Sequence, residues 1–515
     1  MALVVAACGS GTDIDETVID GPAVGTDTSS GSSQTAAAPG DAPETGEDEV
    51  VAEAVSYSIV DTGQSQCYDE TGAVACPEIG EELFGQDASY AGTQPSYADN
   101  GDGTVTDNVT GLMWQQDPGE KMTYAEAESG ADSFELAGYD DWRLPSVKEL
   151  YSLIDFSGTD PSGCPSNNCE ATPFIDTGFF DFQYGDTDEG ERMIDSQWAT
   201  STIYVGTTMG GDESMFGVNF ADGRIKGYGL SDPRGGEKTF FVIYVRGDLG
   251  YGENTFVDRG DGTVTDSASG LMWQQGDSAD GMGWSEALAY CVALDTGGHD
   301  DWRLPDAKEL QGIVDYTRSP STTDSAAIDP ILSASLITDE GGGTGYGSYW
   351  TGTTHTSLMG GANAVYVAFG EALGWMESPQ TGEYTLLDVH GAGAQRSDPK
   401  TGDAADYPYG HGPQGDVIRI ENLVRCVRGG DLETVTGGEV VPQNESSSPQ
   451  TPAETEEGGP LAAAAAQLGV TERELAAALG DPDSGPPDFE MAAAALGVSV
   501  DALMEAVGAP PANGP

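Results

Sequence analysis

Six aspartates are the residues of this chain whose type and spacing best suit chemistry. Asp99, Asp102 and Asp107 lie in DNGDGTVTD, and Asp258, Asp261 and Asp266 in DRGDGTVTD. Carboxylates set among glycines are what a calcium loop uses, because Ca2+ gathers many oxygen ligands from a sharply bent backbone. The spacing is not the D-x-D-x-D-G loop closed by a later Glu, so a second reading stands beside calcium: a glycine-dependent hairpin whose acids face solvent. A further set lies late in the chain, where Trp375, His390, Tyr407, Tyr409 and His411 occur in LGWME, DVHG and DYPYGHGPQG. Rings beside acids and amides suit carbohydrate, whose C–H faces stack on aromatics while its hydroxyls take hydrogen bonds. The same residues equally suit a long ordered loop anchored by rings, with no ligand.

Catalysis finds little support. The only histidines are His299, His355, His390 and His411, and HExxH, G-x-S-x-G and Walker-type loops are all missing. The chain is therefore expected not to be an enzyme.

The elements that must position these residues occur twice. Asp99 returns as Asp258, Trp114 as Trp273, and DDWRLP at 140–145 as DDWRLP at 300–305; QWATST matches YWTGTT, and YVRGD matches CVRGGD. The expected domains are 54–248 and 249–431, the second carrying a longer segment over roughly 376–416 before its last strand. Each copy should begin with a strand, an Asn-Gly or Asp-Gly turn and a second strand, followed by the apolar strand GLMWQQ or its equivalent. Thr123 with Glu126, Ser146 with Glu149 and Asp306 with Glu309 have the spacing of capping boxes, which places two helices in each copy. Short strands complete an α+β arrangement with an antiparallel sheet. Trp114, Trp142, Trp198, Trp273, Trp302 and Trp350 recur in matched positions and are expected in the core. In so acidic a chain, Arg143 and Arg303 are each expected to pair with a neighbouring acid such as Asp140 or Asp300.

The chain of 515 residues holds 87 Asp plus Glu against 19 Lys plus Arg, a net charge of -68. That balance argues against nucleic acid, whose binding depends on cations that neutralise phosphates, and equally against anionic membranes. The opening MALVVAACGS resembles the end of a lipoprotein signal, with Cys8 as the lipidated residue and a membrane as the implied partner. The positive segment that normally opens such a signal is missing, which implies either a start placed too late or a chance apolar run. The expected location is that of an exported bacterial lipoprotein, at the outer membrane or cell surface. Residues 9–53 should be a disordered acidic tether and 432–459 a linker. Residues 460–508 contain two Ala/Leu-rich repeats expected to form a small all-α module.

Setting Cys8 aside leaves six cysteines, an even number suited to an oxidising compartment. Cys67 with Cys76, and Cys164 with Cys169, are close enough for local bridges. Cys291 and Cys426 remain, and the positions aligned with them in the first copy, about Ala131 and Tyr244, have both lost cysteine, as bridge partners would. Metal ligation is the rival, but CxxC pairs are lacking.

In order, GDGTVTD, TGLMWQ, DDWRLPxxKEL and the terminal VRGG-like block of each copy resemble the Lcl C-terminal domain family, named for a bacterial collagen-like adhesin. The stretch from Cys67 to Tyr90 is similar to an N-terminal extension common in that family. The resemblance implies C-type-lectin-like domains, in which a disulfide ties the first helix to the last strand. It also implies surface adhesion, through binding of glycans or surface proteins, with calcium as the one cofactor to consider. The family's described taste for polyanions fits poorly with this chain's charge. Formylglycine-forming enzymes share that broad fold, but their reactive cysteine pair has no counterpart here. The alternative to adhesion is a non-catalytic envelope protein that acts as a spacer or assembly module.

Overall fold

The computed structural model describes residues 56–164, 168–231, 236–430 and 432–436, with three single positions in the tail. Cys8, the 9–53 tether, nearly all of the 432–459 linker and, apart from those positions, the 460–508 module lie outside the described residues.

Each copy opens with a three-stranded meander. In the first copy it comprises β1 (Tyr97–Asp99), β2 (Thr104–Asp107) and β3 (Met113–Gln115). The β1–β2 turn requires Gly101 and Gly103, whose φ angles of 72° and 86° lie in the left-handed region. Helices α1 (Tyr124–Ala131) and α2 (Val147–Tyr151) follow, and both start at the expected capping boxes. Pro145 immediately precedes the N-cap Ser146, and its carbonyl accepts from the Ser201 amide. Next come β4 (Gln197–Trp198), β5 (Ser214–Asn219) and β6 (Arg224–Gly229), before β7 (Val245–Arg246) returns beside β3.

The second copy repeats this plan with β8 (Phe256–Asp258), β9 (Thr263–Asp266), β10 (Leu271–Gln274), α3 (Trp284–Val292) and α4 (Ala307–Gly312). A single-turn helix, α5 (Pro320–Thr323), leads on to β11 (Ser348–Ser357) and β12 (Gly360–Ala368). The long segment is not one loop. It holds a hairpin of β13 (Leu373–Glu377) and β14 (Tyr384–Asp388), then β15 (Gln395–Pro399), before β16 (Val427–Gly429) closes on β10. Mostly small antiparallel sheets with five α-helices among the described residues make up the architecture.

The two copies are not separate bodies. One six-stranded sheet runs in the order β11-β12-β15-β6-β5-β4, so β15 of the second copy adds to β6 of the first. Gly227 permits this approach: a Cβ there would stand 2.8 Å from the His390 carbonyl oxygen, to which the Gly227 amide donates. A single apolar cluster extends from Val105 and Trp114 to Trp273 and Val427, and all six matched tryptophans are buried. The extension before β1 crosses to the second copy: Gln64 bonds both backbone groups of Thr354, and Asp87 accepts from Thr353. Thr434 pairs with Tyr90, binding the two ends of the described body together.

The helix pair across this interface is reciprocal. Lys148 of α2 donates to the Gly312 carbonyl at the end of α4 (2.8 Å), and Lys308 of α4 donates to the Ser152 carbonyl at the end of α2 (2.9 Å). Each ammonium therefore caps the negative end of the other copy's helix. Burial pushes both lysines down to about 8, and only a void of about 10 Å³ remains beside them.

All three expected disulfides form: Cys67–Cys76, Cys164–Cys169 and Cys291–Cys426. The first copy replaces the last of these with a tyrosine. Tyr244 reaches α1, where its hydroxyl donates to the Ala127 carbonyl (2.9 Å) and its ring packs on Phe134. Gly130 leaves the room, since a Cβ there would lie 2.6 Å from that hydroxyl.

Replacing Lys308 with Met should lower the unfolding free energy by about 3 kcal/mol, because the change strands the carbonyls of Ser152 and Asp61, both on the first-copy side of the interface. Lys148→Met should act in the same direction. Chemical denaturation measures both, and an unchanged midpoint in either variant would remove this contact from the account of stability.

Candidate functional site

The repeated acids are occupied by their own backbone. Asp99 and Asp258 accept from the Gly101 and Gly260 amides, and Asp102 and Asp261 from the amide and hydroxyl of Thr104 and Thr263. Asp107 and Asp266 are buried at the far end of the strand, where Asp107 accepts from the Val109 and Thr110 amides. Asp266 accepts from the Thr255 and Ala268 amides, Asn254 and Ser269. Among the described residues, no three His, Cys, Asp or Glu side chains group closely enough to hold a metal ion. These contacts favour the hairpin reading of these acids over calcium: the spacing serves side-chain-to-backbone turns, which fix the hairpin.

The arginine partners also differ from expectation. Arg143 grips Glu149 with both ends of its guanidinium (2.7 and 2.5 Å), and Arg303 grips Glu309 (2.5 and 2.6 Å). Neither uses Asp140 or Asp300. The adjacent Asp141 and Asp301 instead bind Arg246 and Arg428 of the last strands.

The late aromatic set divides in two. Trp375 on β13 and Tyr409 lie edge to face at 6.3 Å, and Tyr409 stacks on Tyr384 of β14 at 4.0 Å. Tyr384 and Tyr409 are exposed at 37% and 53%, so this cluster presents ring surface to solvent. Tyr407 and His411 pair with each other at 6.4 Å. His390 does not join them: it is buried, and its Nε2 lies 2.8 Å from Asp416. Burial pushes His390 down to about 4, so it is neutral at physiological pH. Burial alone would raise Asp416, but Arg396 and His390 hold it well below the usual carboxylate range.

A second feature escaped the sequence. Where the two copies meet, a cleft of about 560 Å³ opens over the outer face of β6, which offers Lys226 and Tyr228. Residues 208–212 form one side, and Val389, Pro413 and Gln414 of the second copy form the other. Pro413 and Gln414 belong to the loop that carries Tyr409 and His411. Below the cleft, Asp388 accepts from the Tyr204 hydroxyl (2.7 Å) and the Gly391 amide. One sequence signal could have pointed here: Lys226 is one of only 19 Lys and Arg in the chain.

Two outcomes follow from this geometry. Millimolar calcium should raise the melting temperature no more than magnesium does at equal ionic strength, and a calcium-specific rise of several degrees would restore the metal reading. Asp388, pushed by burial from 3.8 to about 7, binds its proton more tightly folded than unfolded. Its contribution to stability is therefore lost as pH rises between those values, by roughly 1.4 kcal/mol per unit at most. Asp388→Asn should remove that loss, so its stability relative to wild type should grow from pH 4 to pH 7 and then level off. A difference that does not change with pH would show that Asp388 does not titrate in this way.

No helix among the described residues is long and apolar enough to cross a membrane. No curated protein and no solved structure matches the chain. The family model described as "Lcl C-terminal domain" matches residues 103–246 and again 262–387, together just over half of the chain. The two matches begin in the same glycine-bearing turn of each copy and run through the WRLP turn and its helix. The chain belongs to the Lcl C-terminal domain family and carries that domain twice in tandem.

Proposed function

We infer that this chain is a non-catalytic binding protein of the bacterial surface, exported as a lipoprotein and held there through Cys8. Its tandem domains, of C-type-lectin-like type, engage glycans or another surface ligand, and the 460–508 segment forms a helical module. The observation that supports this reading best is the aromatic cluster of the second copy. Tyr384 and Tyr409 stand on an insertion with no counterpart in the first copy, beside Trp375 of β13, and both expose ring surface to solvent. Binding groups commonly sit on such excursions, held by a rigid scaffold. Exposed rings of this kind stabilise a sugar by stacking, while nearby Glu377 accepts hydroxyl protons.

The second reading, a spacer or assembly protein, draws on the backbone contacts that occupy the six repeated turn acids and on the core shared between copies. The two separate on one experiment. The full-length chain, labelled and applied to a glycan array, should bind a defined subset of glycans. A variant carrying Tyr384→Ala and Tyr409→Ala should lose at least about tenfold in affinity. Ordered self-association in sedimentation, with no glycan bound by wild type, would favour the spacer instead.

A further inference from the structure

The cleft between the copies differs from the aromatic cluster in chemistry and in construction. Its floor is the outer face of β6, where Lys226 and Tyr228 stand two residues apart and so project to the same side. Asp212 and Thr208 come from the first copy, whereas Val389 and Gln414 come from the second. Neither copy encloses the space alone. Its volume of about 560 Å³ lies within the range of small-ligand sites.

The charges indicate what it would hold. Glu191 already pairs with Lys121 (2.6 Å), and Arg192 with Asp195 (2.7 Å). The Lys226 ammonium lies 3.3 Å from Asp222, a carboxylate that also faces Arg224. Asp212, Glu237 and Lys238 add charges of both signs to the lining. No uncompensated block of one sign remains to draw in an ion. What remains is a mixture of donors and acceptors: the ammonium of Lys226, the amides of Gln197 and Gln414 and the carboxylate of Asp212. A partner must both donate and accept along its length, and offer C–H surface to Tyr228 and Val389.

We propose that the inter-copy cleft is a binding site for a short, neutral, hydroxyl-rich ligand, a polyol or saccharide of one to three rings. Occupancy would bridge the copies, because the ligand touches β6 of one and the insertion of the other. The site does not depend on the exposed rings, so it stands or falls separately from the surface reading.

The test uses the full-length chain and saturation-transfer NMR with a fixed panel: glucose, galactose, mannose and N-acetylglucosamine as monomers and disaccharides, and glucuronate as an anionic control. At least one neutral sugar should give transfer at millimolar concentration. Asp212→Ala and Gln414→Ala, both at the cleft surface, should each weaken it by about tenfold. The Tyr384→Ala and Tyr409→Ala variant should leave it unchanged. Silence across the neutral panel, transfer to glucuronate alone, or loss only in the tyrosine variant would each overturn the cleft proposal. The last of these would leave the surface reading intact.

Discussion

One carboxylate in each copy holds three parts of the domain together. Glu149 and Glu309 each receive a guanidinium fork from the WRLP turn and the backbone amide of the helix N-cap. The same arginine residue exchanges two backbone hydrogen bonds with the last strand, Arg143 with Val245 and Arg303 with Val427. Turn, helix and closing strand thus meet at one ion pair, buried in the second copy and partly exposed on its arginine side in the first. Such a pair offsets its desolvation only when both partners are fully bonded, and here the bidentate geometry and the N-cap amide supply those bonds. In a chain of net charge -68 a cation of any kind is scarce. Spending two of 19 bases on these sites indicates how strongly the fold relies on them.

What the sequence made legible was local. The hairpins, the capping boxes and the two short disulfides depend on residues a few positions apart, and each was found where spacing placed it. The Cys291–Cys426 bridge is long-range, yet it was legible because duplication supplied an internal control. The same comparison could not show what replaced it: Tyr244 fills the place by reaching a glycine, and nothing in a tyrosine codon announces a helix tie. The acids of the GDGTVTD turns left two readings open in the sequence, because carboxylates that bond backbone amides and carboxylates that bond metal use the same short spacing.

The seam between copies stayed hidden for a different reason. β15 has the sequence QRSDP, polar and proline-terminated, which reads as loop; it forms a strand because β12 and β6 flank it on both sides. Tertiary context overrides such weak local preference. In the second copy the strand after the tight turn, β13, leaves the main sheet to pair with β14. β15 takes the place beside β12 that β6 holds beside β5 in the first copy. This exchange joins the sheets and also builds the cleft wall, so one insertion accounts for both features that set the copies apart.

The reciprocal lysines have a consequence for how the chain is made. Lys148 and Lys308 occupy equivalent positions, and so do the carbonyls of Ser152 and Gly312 that receive them. During synthesis the first copy emerges with a donor and an acceptor that match a first copy on a neighbouring ribosome as well as its own second half. Like-with-like pairing between nascent chains is the characteristic failure of duplicated domains. The insertion biases the choice, because only a second copy brings β15 to complete the sheet beside β6. The strand that breaks the symmetry of the finished protein is therefore a contact beside β6 that a pair of first copies would lack.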